Sequence, residues 1–163
     1  MNSDLVKEVT EYLKKDCWYV SCGGAAGSSF QLALGKPIPR DVVLRNTAHS
    51  EQFRNFEGEA NLLVWCTWRL DGVSHPITGS DDSSEKIELE LQQLVGKRVV
   101  AAEAQLPGWD LKLEFDGCLI LNIFSDHLGS EPSMESNWEL HCSGESVIVG
   151  AGSQVSVSRH ELP

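Results

Sequence analysis

Two stretches of the chain, residues 68–80 and 137–155, carry nearly the same pattern. Each reads Trp-x-Leu, then a turn that contains glycine, then Ile-x-Gly with a serine after it (WRLDGVSHPITGS and NWELHCSGESVIVGAGSQV). The similarity extends upstream, because residues 28–36 and 109–117 both place apolar side chains at every second position and then reach a glycine. Period-two alternation indicates a strand with one buried face. The sequence therefore predicts a duplicated module rather than a series of unrelated hairpins.

Each copy of the module begins with a predicted amphipathic helix. The first has Ser3 as its expected N-cap, and the second has Asp82 or Ser84 as its cap and Gly96 as a left-handed residue at its end. The second segment also reads IELEL, which alternates as a strand would. The apolar residues that share a helical face are Leu5, Val9, Tyr12 and Leu13 in the first helix, and Ile87, Leu91 and Leu94 in the second.

These elements predict an α+β fold, mainly antiparallel β, in which two related helix-plus-meander halves form one domain over residues 1–163. The first half covers residues 3–82 and the second covers residues 83–158. The third strand of the second half is CLILNIF, and its counterpart in the first half is either DVVL or NLLVWC. Residues 36–60 contain prolines and polar side chains, which favour a surface loop.

The predicted core follows from the size of each half. A unit of about 75 residues has a sheet that one short helix barely covers, so two units must bury each other's apolar faces. Trp68 and Trp138 are then expected at matching positions as core anchors, because tryptophan buries a large apolar area. Trp65 is expected on the opposite strand face, where it is available to a partner.

Composition favours a water-soluble, cytoplasmic protein. Hydrophobic residues make up 41% of the 163 residues and charged residues 23%, which is ordinary for a globular domain. The start of the chain lacks the basic and apolar regions of a signal peptide, and no apolar run approaches the roughly 18 residues that span a bilayer. The formal charge of −11 argues against a nucleic-acid partner, since phosphate binding requires lysine and arginine.

No motif for catalysis, metal binding or cofactor binding is recognisable. The five cysteines form no CxxC pair and are expected to be reduced, mostly buried thiols. The stretch CGGAAGSS lacks the Lys-Ser/Thr of a phosphate-binding loop and precedes a predicted strand, so we interpret it as a hairpin loop. The histidines are scattered and do not form an HExxH motif. We therefore predict no catalytic residues, no metal and no cofactor.

The second half carries an unusual concentration of negative charge. Between residues 110 and 145 there are eight acidic residues and one lysine. This predicts either an ordinary solvated face or a docking surface for a basic partner, whose association it would accelerate. The residues expected to contact a partner are Asp116, Asp126, Glu131, Glu135, Glu139 and Trp65.

The chain also resembles a family of small bacterial domains of unknown function, some of which are associated with toxin–immunity loci. The resemblance covers residues 60–150 and consists of strand and turn positions: Trp68-Arg69-Leu70, Gly79-Ser80-Asp81, Leu94-x-Gly96, Asp110-Leu111-x-Leu113-x-Phe115-x-Gly117 and Trp138-Glu139-Leu140. It implies a fold, and it implies an immunity function only through the association with toxin genes. The connection over residues 36–61 is a departure from the family pattern.

The sequence as a whole predicts a non-enzymatic cytoplasmic binding protein with no membrane or nucleic-acid partner. In its most concrete form it is an immunity protein that neutralises a basic toxin through the acidic second half. One alternative is a small-molecule-binding module with a site between the two halves, lined by the tryptophans. The other is an enzyme of unrecognised type that uses Asp126 and His127. The sequence makes no prediction about oligomeric state.

Overall fold

The structure, a computed structural model, describes residues 2–129 and 135–161. The helices within these residues are α1 (Asn2–Leu13), α2 (Glu51–Asn55) and α3 (Ser84–Leu91), and single 3-10 turns occur at Gly24–Ala26, Gln92–Leu94 and Ala151–Ser153. The strands are β1 (Cys17–Cys22), β2 (Phe30–Pro39), β3 (Phe56–Val64), β4 (Thr67–Asp71), β5 (Pro76–Gly79), β6 (Val99–Gln105), β7 (Asp110–Phe115), β8 (Leu119–Phe124), β9 (Trp138–Cys142), β10 (Glu145–Val149) and β11 (Val155–Arg159).

The strands form two antiparallel sheets. The six-stranded sheet has the order β1-β2-β3-β9-β10-β11, and the five-stranded sheet has the order β5-β4-β8-β7-β6. Helices cover part of the remaining apolar surface. The predicted α+β class with mainly antiparallel strands is therefore confirmed.

The two halves of the chain exchange hairpins between these sheets. The first half supplies β1-β2-β3 to the six-stranded sheet and β4-β5 to the five-stranded sheet, whereas the second half supplies β6-β7-β8 to the five-stranded sheet and β9-β10 to the other. The third strand of the first half is β3, which contains NLLV, and not DVVL. Each sheet is consequently assembled from both halves, and β11 is the one strand of the described residues without a counterpart.

Trp68 and Trp138 occupy corresponding positions in this arrangement. Trp138 on β9 pairs with Val64 on β3, and Trp68 on β4 pairs with Ile123 on β8. Each indole N–H donates to a main-chain carbonyl just before the second strand of a meander. Trp68 Nε1 donates to Ser28 O (2.7 Å) and Trp138 Nε1 donates to Trp109 O (2.9 Å).

Both tryptophans lie between the sheets in one continuous hydrophobic core. Trp68 is 1% exposed and Trp138 is fully buried. The ring of Trp68 meets Phe30 of the facing sheet edge to face with centroids 5.1 Å apart, and Trp138 meets Trp109 at 6.4 Å. Because their rings are enclosed, these tryptophans act as core anchors.

The helices also cross between halves. Helix α1 packs against β6 of the second half, while α3 packs against β1 and β5 of the first. The IELEL segment is helical because Ile87 and Leu91, four residues apart, are both buried. Its N-cap is Ser83, whose hydroxyl accepts from the N–H of Lys86 (3.3 Å). The sequence predicted Asp82 or Ser84 at this position. In the first helix Ser3 lies inside α1.

Residues 36–60 are more ordered than the expected surface loop. Strand β2 continues through Pro39 because Pro37 and Pro39 lie beyond the end of β1, where a missing N–H breaks no hydrogen bond to a neighbour. The strand passes a register irregularity between Leu34 and Pro37, and α2 then returns the chain to β3. The irregular connection is limited to residues 40–50.

The two Ile-x-Gly motifs do not superpose. Thr78 on β5 pairs with Leu70, whereas Val147 on β10 pairs with the corresponding Leu140. Gly79 therefore matches Ile148 rather than Gly150. The tryptophan and leucine positions of the repeat correspond, but its glycines are offset by two residues.

The cysteines are free, and they differ in exposure. Cys17 and Cys66 are buried, Cys22 and Cys142 are half-buried, and Cys118 is exposed in the β7–β8 turn. Burial raises the pKa of Cys17 and of Cys66 to about 12, so these thiols stay protonated at neutral pH.

In the described residues no helix is long and apolar enough to cross a membrane.

A buried carboxylate connects α1 to the last two strands. Glu145 is 8% exposed, and it accepts hydrogen bonds from the Tyr12 hydroxyl (2.9 Å) and from Arg159 Nε (2.8 Å). Burial alone would raise the pKa of Glu145, but these hydrogen bonds outweigh burial and hold it below its usual range. Burial and the contact with Glu145 raise the pKa of Tyr12 to about 12.

Replacing Tyr12 with phenylalanine is expected to lower the free energy of unfolding by about 1–3 kcal/mol at pH 7, because a buried carboxylate loses a donor. A carboxylate with a depressed pKa stabilises the fold above its unfolded-state pKa of about 4.3, and this contribution disappears as the pH falls through the folded-state value. The effect of Tyr12→Phe should therefore shrink under acid conditions. Urea unfolding at several pH values measures both effects. The matched control is Tyr19→Phe, whose hydroxyl contacts His49, and an equal, pH-independent loss in both variants would contradict the prediction.

Candidate functional site: the crossover surface

The two links between the sheets lie side by side. The chain leaves the six-stranded sheet at residues 65–66 and returns to it at residue 137. The N–H groups of Trp65 and Cys66 both donate to the carbonyl oxygen of Asn137, at 3.0 and 3.2 Å. We call the surface formed by residues 65–67, 125–129 and 135–139 the crossover surface.

Asn137 holds this surface together from inside. Its side chain is fully buried, and its Oδ1 accepts from the N–H of His127 (2.9 Å). Its Nδ2 donates to the carbonyl oxygens of His127 (3.3 Å) and Gly150 (2.9 Å). Since a buried amide must satisfy its polar atoms, these bonds determine where the segment after β8 lies relative to β9 and β10.

Asp126 is anchored to the first crossing. Its carboxylate accepts from both the hydroxyl and the N–H of Thr67. Partial burial would raise the pKa of Asp126, but the two hydrogen bonds from Thr67 outweigh it and hold the pKa below its usual value. The side chain is exposed, so an ionised carboxylate faces outward at neutral pH.

Glu135 and Glu139 extend the negative charge along the same surface. Glu135 is exposed, and its carbonyl oxygen lies 3.4 Å from Nδ1 of His127. Glu139 on β9 is half-buried; its Oε1 accepts from Ser136 Oγ (3.1 Å), and its Oε2 lies 2.8 Å from His141 Nε2. In the described part of the chain, neither of these glutamates nor Asp126 pairs with a lysine or arginine.

Four of the six residues expected to contact a partner therefore lie on the crossover surface: Trp65, Asp126, Glu135 and Glu139. Asp116 does not, because it lies in the β7–β8 turn at the opposite end of β8 from Asp126. There its carboxylate accepts from the N–H of Arg98 (2.9 Å). Glu131 lies outside the described residues.

Apolar side chains are interspersed with these carboxylates. Leu128 is 74% exposed, although it follows directly after the anchored residues Asp126 and His127. Trp65 is half-buried and lines a shallow recess of about 160 Å³ together with Gln31 and Leu63. Protein-binding surfaces commonly place apolar and aromatic side chains inside a polar rim, and tryptophan is enriched among the residues that dominate binding.

The sequence analysis missed a polar row that begins at Glu139. His141 Nδ1 lies 2.8 Å from Ser146 Oγ, while its Nε2 contacts Glu139, so the three side chains have the connectivity of a hydrolytic triad. The alternation in WELHC places Glu139 and His141 on one strand face and could have indicated their contact. Ser146, however, lies on β10 between β9 and β11. The main-chain N–H groups that would have to stabilise an oxyanion are already hydrogen-bonded to these neighbouring strands. We interpret this row as a cross-strand network that fixes Glu139.

The enzymatic alternative based on Asp126 and His127 finds little support in the geometry. The Asp126 carboxylate is occupied by Thr67, and in the described residues the His127 ring contacts a main-chain carbonyl rather than a carboxylate. Those residues also contain no group of three or more histidine, cysteine, aspartate or glutamate side chains arranged to hold a metal ion.

Comparison with other proteins adds no assignment, since the chain matches no protein-family model, no curated protein and no solved structure.

Proposed function

We propose that this chain is a non-enzymatic binding protein whose crossover surface docks a basic protein partner. The observation that carries the proposal is that Asp126, Glu135 and Glu139 lie on the same crossing segments as Trp65 and Leu128. A basic partner would meet carboxylates that have no lysine or arginine partner within the described chain. Hence no ion pair with a lysine or arginine of the described chain would have to break on binding.

The charge of the whole chain supports the same kind of partner. With a formal charge of −11, the protein attracts a cationic molecule at long range, and the crossover surface then supplies orientation. Electrostatic attraction of this kind accelerates association and depends strongly on ionic strength. In its most specific form the protein acts in the cytoplasm as an immunity protein that neutralises a basic toxin.

The framework of the surface suits a preorganised interface. Asn137 and Thr67 hold the crossing segments through hydrogen bonds, and Ser136 and His141 hold the Glu139 carboxylate. Side chains that are already ordered lose less entropy when a partner binds. The crossover surface would therefore bind without a change in the sheets.

Glu135→Lys is expected to slow association with the partner about tenfold and to make it less sensitive to salt, because it reverses a charge on the docking surface. Partners would be captured from cells of the source organism with the wild-type protein, identified by mass spectrometry, and measured by stopped-flow kinetics at several salt concentrations. The matched control is Asp116→Lys, which makes the same charge reversal at the other end of β8.

The two variants distinguish docking from general electrostatic attraction. A partner with a basic surface whose association is slowed by Glu135→Lys but not by Asp116→Lys supports the proposal. Equal slowing by both variants would indicate attraction by net charge alone. A captured partner that is acidic, or that binds both variants as well as the wild type, would contradict the proposed surface.

A further inference from the structure

A cleft lies beside β1, at residues that the first half adds to the common pattern of the two halves. The cleft has a volume of about 540 Å³ and lies between β1, the glycine-rich loop that follows it, the 46–49 segment and α3. Two of its walls come from additions without a counterpart in the second half. The β1–β2 connection spans residues 23–29, whereas the β6–β7 connection spans only residues 106–109, and the 40–55 insertion follows β2.

The cleft also lies between the two halves of the chain. Its floor is formed by Val20, Ser21 and Cys22 of β1, which is an edge strand of the six-stranded sheet. Glu88 and Gln92 also line the cleft, and they belong to the second half. Clefts of about 300–1,000 Å³ are typical of small-molecule sites.

One wall carries an unneutralised carboxylate. Among the described residues, Glu88 forms no ion pair or hydrogen bond, and the lining of the cleft contains no lysine or arginine. The carboxylate rests against Gly23, whose φ is +81°, and a Cβ atom at that position would lie 2.9 Å from Glu88 Oε2. The glycine backbone thus allows Glu88 to approach the loop closely and to lie at the cleft.

The remaining lining offers the Cys22 thiol and the Tyr19 hydroxyl as hydrogen-bonding groups. The Tyr19 hydroxyl lies 3.3 Å from His49 Nδ1, and both residues line the cleft. Phe53 stacks against the Tyr19 ring at 4.2 Å. Burial and the charge of Glu88 raise the pKa of Cys22 to about 11, so its thiol remains neutral. Asn46 supplies an amide at the rim.

We propose that this cleft binds a small organic cation that carries an ammonium group, with Glu88 as its counter-ion and the Tyr19–His49 wall as a hydrogen-bonding contact for its hydroxyl or amide groups. The negative charge of the whole chain favours the same class of ligand. The cleft shares Ser21 and Ala26 with the recess beside Trp65, but none of its lining residues belongs to the crossover surface, so this inference does not rest on the proposed docking function.

The test is a titration of the full-length, ¹⁵N-labelled protein followed by amide chemical shifts at low ionic strength. The probes are glucosamine, ethanolamine and spermidine, with glucose and ethylene glycol as neutral counterparts of the first two. The ammonium probes are expected to shift the amides of residues 20–26 and 46–49, and the neutral compounds to bind at least about threefold more weakly.

Glu88→Gln is expected to weaken binding of the ammonium probes about fivefold, because it removes the counter-ion and keeps the shape of the side chain. Glu85→Gln is the matched control, since it removes the same charge from an exposed position of α3 outside the cleft. The proposal fails if no ammonium probe shifts the cleft amides, if the neutral compounds bind equally well, or if Glu85→Gln weakens binding as much as Glu88→Gln.

Discussion

Residues 1–82 expressed alone are expected to remain unfolded, although they contain helices α1 and α2 and five strands. Without the second half, β3 loses its partner β9, and β4 loses its partner β8. The apolar faces that carry Trp68 and Leu62 would then meet water, and unpaired strand edges favour aggregation. The far-ultraviolet circular dichroism signal of this fragment should show no cooperative change on heating. Its amide resonances should be poorly dispersed.

Mixing the two halves tests whether this instability comes from the exchanged hairpins. Residues 1–82 and 83–163 should fold on mixing, since the division falls in a connection with exposed residues between β5 and α3, and Ser83 remains with its helix. The complex should show the cooperative unfolding of the intact chain. Cooperative folding of residues 1–82 by themselves would mean that the halves do not depend on one another.

Replacing Trp138 with alanine is expected to lower the free energy of unfolding by about 3–5 kcal/mol, because the change leaves a large cavity in the core. Trp68→Ala should have an effect of similar size, since the two indoles have corresponding strand partners and corresponding carbonyl acceptors. Urea denaturation of the purified variants measures both losses. If either variant is too unstable to purify, Trp→Phe at the same position gives a smaller loss of the same sign.

Trp65→Ala is the matched control because Trp65 is only half-buried and lies outside the core. Its effect on unfolding should be about 1 kcal/mol or less. A loss for Trp138→Ala no larger than that for Trp65→Ala would contradict the assignment of Trp138 as a core anchor. A large loss at Trp138 with a negligible loss at Trp68 would contradict their structural correspondence.

Strand alternation predicted most of the core correctly. Leu111, Leu113 and Phe115 are buried, as are Phe30, Leu32 and Leu34 in the other half. Alternation succeeds because side chains on a strand point to opposite faces in turn, so the spacing of apolar residues specifies which face is buried. The prediction that residues 36–60 form a surface loop was wrong. It treated proline as a strand breaker, but Pro37 and Pro39 lie beyond the end of β1, where a missing N–H breaks no hydrogen bond.

The candidate site was only partly predictable. The sequence identified the acidic residues, but it could not separate Asp116 from Asp126, which are close in sequence and lie at opposite ends of β8. Glu139 and Asp126 belong to different sheets, and only the adjacent crossings bring them to one surface. The contribution of Asn137 was also not visible, since a single asparagine in a sequence carries no sign that it is buried and fully hydrogen-bonded.

The amino-acid sequence by itself determined most of the strands, which faces of those strands are apolar, and that Trp68 and Trp138 are placed in similar surroundings. These properties depend on local periodicity and on side-chain size. Only the tertiary structure decided that the halves exchange hairpins, that β3 pairs with β9 and β8 with β4, and that a cleft forms beside β1. The reason is that main-chain hydrogen bonds join any two strands in the same way, so the choice of partner depends on how the whole core packs.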